Sequence, residues 1–211
     1  DGIVPENVRP EYGQHYLQLA AEQKKVPPPA TIDSQFKAPQ TGRQEVILLG
    51  SAGQRIITAG ELLCIAGLTA GMNTTQKNEY NITVLRGPSI SELILSPQEI
   101  DFTGIETPDV VLALDQEGVD RRRDMFARLT AETLIIQIKS VSLPECKARI
   151  HAVDLKAKGI KRPDWALAAL AILANLNRVI SADMLIAALK LKFKGNTRQT
   201  ALSLVKQLGS H

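Results

Sequence analysis

The sequence predicts an α/β fold, a three-layer α/β/α sandwich around a mostly parallel sheet. Three features predict it. Two short apolar runs, Val46–Leu49 and Val110–Leu114, lack alternation, and a glycine-bearing turn joins the first of them to a long apolar stretch with helical spacing. Such runs suit strands covered on both faces, because neither face meets water.

Residues 1–45 read differently from the rest, as a proline-rich linker or tail, and the domain proper is expected over 46–211. One short helical patch is predicted at Gln14–Gln23, and Pro27–Pro29 favours polyproline II, a stiff spacer. His15 and Tyr16 are read there as surface groups.

After Val46–Leu49, Gly50 and Gly53 bracket Ser51 and Ala52, giving two places where a positive φ costs nothing. From Ile56 the positions Ala59, Leu63, Ala66 and Ala70 share one helical face, and Ile57, Leu62 and Ile65 widen it. The helix is therefore expected to be buried on more than one side, with its alanines and glycines allowing close approach to a sheet. Amides at its start would point into the turn, a candidate anion site.

Met72–Lys77 is predicted as a second strand or strand edge, and Lys77–Gly87 as a polar loop with a strand-like insert at Ile82–Leu85. Pro88 closes that loop, and Ser91–Ser96 alternates as a strand does. The loop from Lys77 to Ser89 is longer than a simple connection needs, so it is expected to face a partner or a shared cleft. Gln116–Thr130 is polar and helix-compatible, Leu134–Ile138 is a further strand, and Arg149–Val153 is another, followed by a short helix. The last fifty or so residues read as helices: Asp164 caps one through Trp165–Leu173, and Ser181 caps Ala182–Leu191. Asn196-Thr197 opens a third over Ala201–Leu208, ended by Gly209.

Composition narrows function. Hydrophobic residues make up 44% of the 211 and charged residues 22%, ordinary for a globular protein. Aromatics at 4% leave no platform for stacking bases, and a net charge of +3 is a weak nucleic-acid signal, so no nucleic-acid partner is expected. No apolar run reaches the roughly 18 residues of a membrane helix and no signal peptide opens the chain, so a cytoplasmic protein without a membrane partner is expected. Cys64 and Cys146 are too few to hold an iron–sulfur cluster or structural zinc, and Cys64 reads as a small buried hydrophobe. His15, His151 and His211 have no companions at ligand spacing, so neither a metal site nor a self-sufficient hydrolase is expected.

Two candidates remain. Gly50-Ser51-Ala52-Gly53-Gln54-Arg55 follows a strand and opens a helix like a dinucleotide fingerprint, but lacks its middle and last glycines and a P-loop's Gly-Lys-Ser/Thr. Asp115 stands at the carboxyl end of a buried strand, as a ligand group or a helix cap. The Arg121-Arg122-Arg123 run reads as a solvated helix face, with an anion site as the rival. The residues alone support an α/β ligand-binding or subunit domain.

The order GSAGQRIITAGELLCIAG, EYNITVLRGPSISELILS, PDVVLALDQEGVDR resembles the gamma domain of the 2-oxoacid:ferredoxin oxidoreductases, over about residues 45–207. Of that family's Gly-x-Gly-Gly-Gln-Gly motif, Gly50, Gly53 and Gln54 are kept while Ala52 and Arg55 depart. Its Tyr-Gly-Pro-Glu-Val-Arg-Gly-Gly motif, followed by a serine-bearing strand, is partly kept in Tyr80, Val84, Gly87 and Ser89, with Leu85 at the arginine and Arg86 at a glycine. Pro108, Asp109, Leu114 and Asp115 match Pro-Asp-x-x-x-x-Leu-Asp.

The resemblance implies a component of a complex using thiamine diphosphate with magnesium, iron–sulfur clusters and coenzyme A, with ferredoxin or a similar acceptor. None of these cofactors is expected to be held by this chain alone. It also implies that Gly50, Ser51, Gly53, Gln54, Tyr80, Arg86, Gly87, Ser89 and Asp115 bear on cofactor binding, Arg86 taking over an anionic contact. The tail would be the end of a preceding thiamine-binding segment. A stand-alone nucleotide- or coenzyme A-binding module, and a purely structural assembly domain, are the alternatives.

Overall fold

The computed structural model describes residues 32–80 and 86–209 of the protein. The expectations for Gln14–Gln23, His15, Tyr16, Pro27–Pro29 and Ile82–Leu85 lie outside the described residues. From residue 33 onward the described residues belong to one compact unit.

Six strands build one sheet: β1 Gln44–Ser51, β2 Asn73–Tyr80, β3 Pro88–Ser96, β4 Val110–Ala113, β5 Leu134–Ile138 and β6 Arg149–Val153, in the order β2-β3-β1-β4-β5-β6. The pairs β1–β4, β4–β5 and β5–β6 are parallel, while β1–β3 and β2–β3 are antiparallel. The sheet is therefore mixed, parallel on one side of β1 and antiparallel on the other. β1 and β4 are central and buried, as their unbroken apolar runs require. Asp109 ties their starts together: its Oδ2 accepts the Glu45 N–H at 2.7 Å.

Helices lie on both faces. Helix α1 (Ile56–Leu68) packs on the face carrying Ser91 and Leu95, and its small residues are what admit it. A Cβ on Gly60 would stand 2.6 Å from Ser91 Oγ, and one on Gly67 2.7 Å from Leu95 Cδ2. Helix α2 (Gln116–Arg121) and the 3₁₀ turn Arg123–Arg128 lie on the opposite face, because Arg122 bonds Glu92, whose side chain alternates with Ser91. Helices α3 (Trp165–Asn175), α4 (Ala182–Lys192) and α5 (Gly195–Gly209) complete the helical C-terminus. Ser181 caps α4 as expected, its Oγ accepting the Met184 N–H at 3.3 Å.

Several boundaries differ from the sequence reading. β2 continues through Tyr80, so Lys77–Tyr80 is strand and not loop, and β3 begins at Pro88. The cause is pairing: Lys77, Asn78, Glu79 and Tyr80 sit opposite Glu92, Ser91, Ile90 and Ser89. Polar side chains then find partners across the hairpin, as in the Gln76–Asn78–Ser91 cluster at 2.9–3.0 Å. The short helix expected after β6 is a run of turns followed by a 3₁₀ turn at Arg162–Asp164. α5 starts at Gly195 and includes Gly209, which was expected to end it. Asp164 stands at the N-cap of α3 without capping it: it ends the 3₁₀ turn with φ −102 and ψ 0, not the extended backbone of a cap, and its carboxylate pairs with Arg55. At the other end, Gln35 and Phe36 donate to Thr69 O, so part of the segment read as linker lies against the domain.

Candidate functional site

The glycine turn lies at the carboxyl end of β1, and three of its backbone amides are bonded within the protein. Gly50 and Ser51 are still strand, paired with Ser89 and Pro88 of β3. Gly53 takes φ +85 and Arg55 takes φ 57, so the chain reverses through two left-handed residues. Glycine suits the first; Arg55 pays the steric cost of a Cβ in that region. Its guanidinium lies 3.0 Å from the Asp164 carboxylate, which holds the turn against the start of α3.

Gln54 is fully buried and spans the turn: its Oε1 accepts the Ser51 N–H at 2.9 Å and its Nε2 donates to Leu114 O at 3.2 Å. The Ala52 N–H donates to Gly87 O at 3.0 Å, and the Gln54 N–H to Ser51 O at 3.2 Å. The amides of Ser51, Ala52 and Gln54 are therefore spent on the protein's own acceptors. The anion cradle expected of the turn is not formed by these three, and Gln54 occupies its centre.

Asp115 takes the cap role considered for it and adds an ion pair. Its Oδ1 accepts the Glu117 N–H at 3.2 Å as the cap of α2, while its Oδ2 lies 2.7 Å from Arg162 Nη2. The same nitrogen donates to Ser51 Oγ at 2.6 Å. Arg162 thus bridges the ends of β1 and β4. Nothing in the sequence singled it out, since its partners lie 47 and 111 positions away.

The hairpin end completes this cluster. Gly87, at φ 96, gives its carbonyl to Ala52, Ser89 is buried opposite Gly50, and the backbone of Tyr80 pairs with Ser89. Arg86 is exposed beside them. The structure thus brings together Gly50, Ser51, Gly53, Gln54, Gly87, Ser89 and Asp115, with the backbone of Tyr80 and the exposed Arg86 beside them. Behind the turn is a cavity of about 580 Å³ between α1, residues 159–164 and α5, lined by Arg55, Lys161 and Asp164 and by Thr197, Thr200 and Ser203. Sequence reading missed it, because its walls come from distant segments.

Arg121 and Arg122 do not form an anion site. Arg121 Nε lies 2.6 Å from Glu79 Oε1, and Arg122 Nη2 lies 2.7 Å from Glu79 Oε2 and 3.0 Å from Glu92 Oε1. The hydrogen bond from Arg121, with Arg122 beside it, holds the Glu79 carboxyl below the usual glutamate range. Burial pushes the Cys64 thiol up to about 11, so little of it is thiolate near neutral pH. Among the described residues no group of three or more His, Cys, Asp or Glu is placed to hold a metal ion, and no helix is long and apolar enough to cross a membrane.

The sequence profile of the family described as pyruvate ferredoxin/flavodoxin oxidoreductase matches residues 45–205. The chain belongs to that family. The resemblance drawn from the glycine turn and the Pro108–Asp115 segment is therefore borne out. Within the pyruvate ferredoxin/flavodoxin oxidoreductase family, the chain is 29% identical over 147 residues to the 2-oxoglutarate synthase subunit KorC of Methanocaldococcus jannaschii, covering 67% of this chain and 79% of that one. It is 30% identical over 115 residues to KorC of Methanothermobacter thermautotrophicus, covering 54% and 60% respectively. It is 26% identical over 124 residues to the ketoisovalerate oxidoreductase subunit VorA of the same organism, but spans only 25% of that protein.

Solved structures share the fold. The gamma subunit of a keto/oxoacid ferredoxin oxidoreductase from Geobacter sulfurreducens superposes with TM-score 0.66 at 21% identity, covering 80% of this chain and 95% of that one. A 2-oxoglutarate:ferredoxin oxidoreductase from Magnetococcus marinus, with 2-oxoglutarate, coenzyme A and succinyl-CoA bound, gives 0.66 at 19% identity, covering 81% and 31%. Within the family motif, the left-handed φ of Arg55 gives a reason for the glycine usual at that place.

Proposed function

We propose that the chain is the gamma component of a thiamine-diphosphate-dependent 2-oxoacid:ferredoxin oxidoreductase, inactive alone, and that it completes the complex's site on the coenzyme A side. Such a complex decarboxylates a 2-oxoacid on thiamine diphosphate with magnesium, sends electrons through iron–sulfur clusters to ferredoxin, and passes the acyl group to coenzyme A. The other subunits would hold the thiamine cofactor and the clusters, and the assembly would be cytoplasmic.

The observation that carries the reading is the locked turn. With Gln54 filling its centre and Arg162 bridging Ser51 and Asp115, this end of the sheet is a rigid platform. Rigid elements suit the positioning of a group that reacts elsewhere. Two exposed cations flank the platform, Arg86 at the hairpin end and Lys161 on the cavity wall, and both suit the phosphates of coenzyme A. The chain's half-buried Cys64 and Cys146 cannot supply the four thiolates of a cluster.

Family membership disfavours the stand-alone module. The test is turnover of a 2-oxoacid by the reconstituted complex, with coenzyme A varied. Arg86→Ala is expected to raise the KM for coenzyme A several-fold with kcat little changed, and unchanged kinetics would remove Arg86 from the site.

A further inference from the structure

Among the described residues, nothing pairs with the parallel end of the sheet. Four of the five residues of β6 are exposed, on both faces of the strand, whereas all four of β4 are buried. Ile150 is 52% exposed in the middle of it. The Arg149 N–H donates to Thr133 O and Val153 O accepts from Lys139 N, so the odd-numbered residues of β6 face β5 with their peptide groups. Those of Ile150 and Ala152 therefore point outward, and among the described residues no strand pairs with that edge. A bare, partly apolar edge invites strand addition unless something covers it.

Charge says what would cover it. Between residues 139 and 161, six lysines and arginines stand against two carboxylates, Glu145 and Asp154. All six cations are exposed, among them Lys139, Lys147, Arg149 and Lys156 at the two ends of β6. The segment carries a net +4 in a chain of net +3, so the remainder nets −1 and the basic character is concentrated here. A second copy of this chain would set these cations against one another.

We infer that the outer edge of β6 receives an acidic extended segment of a neighbouring subunit of the oxidoreductase. Main-chain groups of Ile150 and Ala152 pair with it, Ile150 packs beneath it, and the flanking lysines, with Arg149, fix its orientation. This rests on the proposal that the chain works within such a complex.

Hydrogen–deuterium exchange on the chain, free and assembled with its co-encoded oxidoreductase subunits, tests it together with the triple variant K147E/R149E/K156E. The expected result is slower exchange over residues 147–153 in the complex. The triple variant should assemble at least tenfold more weakly while keeping the unmodified chain's circular dichroism and melting temperature. A complex that forms with β6 unprotected, or that tolerates the triple variant, overturns this inference and leaves the proposed function standing. Failure of the unmodified chain to assemble overturns both. Protection of β6 that rises with concentration in the chain alone would make a second copy the occupant and overturn the acidic partner.

Discussion

Arg162 reaches 2.7 Å from Asp115 and, through the same nitrogen, 2.6 Å from Ser51, so one exposed arginine fastens the carboxyl ends of the two central strands. Ser51 is buried and the Asp115 side chain is 15% exposed, so the guanidinium is the charged partner of both. Arg162→Ala should destabilise the protein by about 1–2 kcal/mol, the usual size for a charge-assisted pair that is partly solvated. Arg162→Lys should recover only part, since one ammonium on a flexible stem fixes two acceptors less well. Urea denaturation midpoints measure both.

Arg55 sets a strained backbone against a side-chain ion pair. Its φ of 57 costs about 1 kcal/mol relative to a relaxed conformation, and its ion pair with Asp164 is largely exposed. Arg55→Gly should therefore be neutral to stabilising by about 1 kcal/mol, although it deletes an ion pair. A loss greater than about 1 kcal/mol in thermal unfolding would show that the Arg55–Asp164 contact outweighs the strain.

Gly118 sits inside α2, where alanine would ordinarily gain about 1 kcal/mol. Here a Cβ would stand 2.5 Å from the backbone nitrogen of Gly50 and 2.6 Å from the carbonyl carbon of Leu49, neither of which can move without distorting β1. Gly118→Ala should destabilise by about 2–4 kcal/mol, the sign opposite to propensity, as read from denaturant unfolding.

Glu79 contributes a pH dependence of known sign. Its pKa is lowered in the folded protein by Arg121 and Arg122, so the folded state binds the proton less well than the unfolded chain. The stability it adds is complete above the ordinary glutamate range near pH 4.5 and is lost as pH falls through the lower folded value. Glu79→Gln should flatten the pH–stability curve below about pH 5 and leave its shape above pH 6 unchanged. The effect is small, because the carboxylate is partly exposed, and added salt should shrink it further.

The sequence carried the frame of this protein better than its edges. Val46–Leu49 and Val110–Leu114 were readable because burial on two faces leaves no polar position in a strand. β2 was only half readable: NTTQKNEY has no apolar periodicity and is a strand because β3, Arg121 and Arg122 supply its partners. The glycine turn and Asp115 were visible as local patterns, and Gly87 and Ser89 through the family resemblance. That Gln54 reaches Leu114, and that Arg162 closes the turn, depends on contacts 47 to 111 positions apart that no local pattern encodes. The cavity behind Arg55 was hidden for the same reason, since α1, Lys161 and α5 meet only in the folded chain.

The central claim is that this chain completes a 2-oxoacid oxidoreductase without being one. Coenzyme A-dependent reduction of ferredoxin by a 2-oxoacid tests it most directly, with the purified chain alone, with its co-encoded subunits alone, and with the two combined, thiamine diphosphate and magnesium being supplied throughout. Turnover only in the combination is the predicted result. Turnover by the chain alone, or full turnover by the co-encoded subunits without it, would contradict the account.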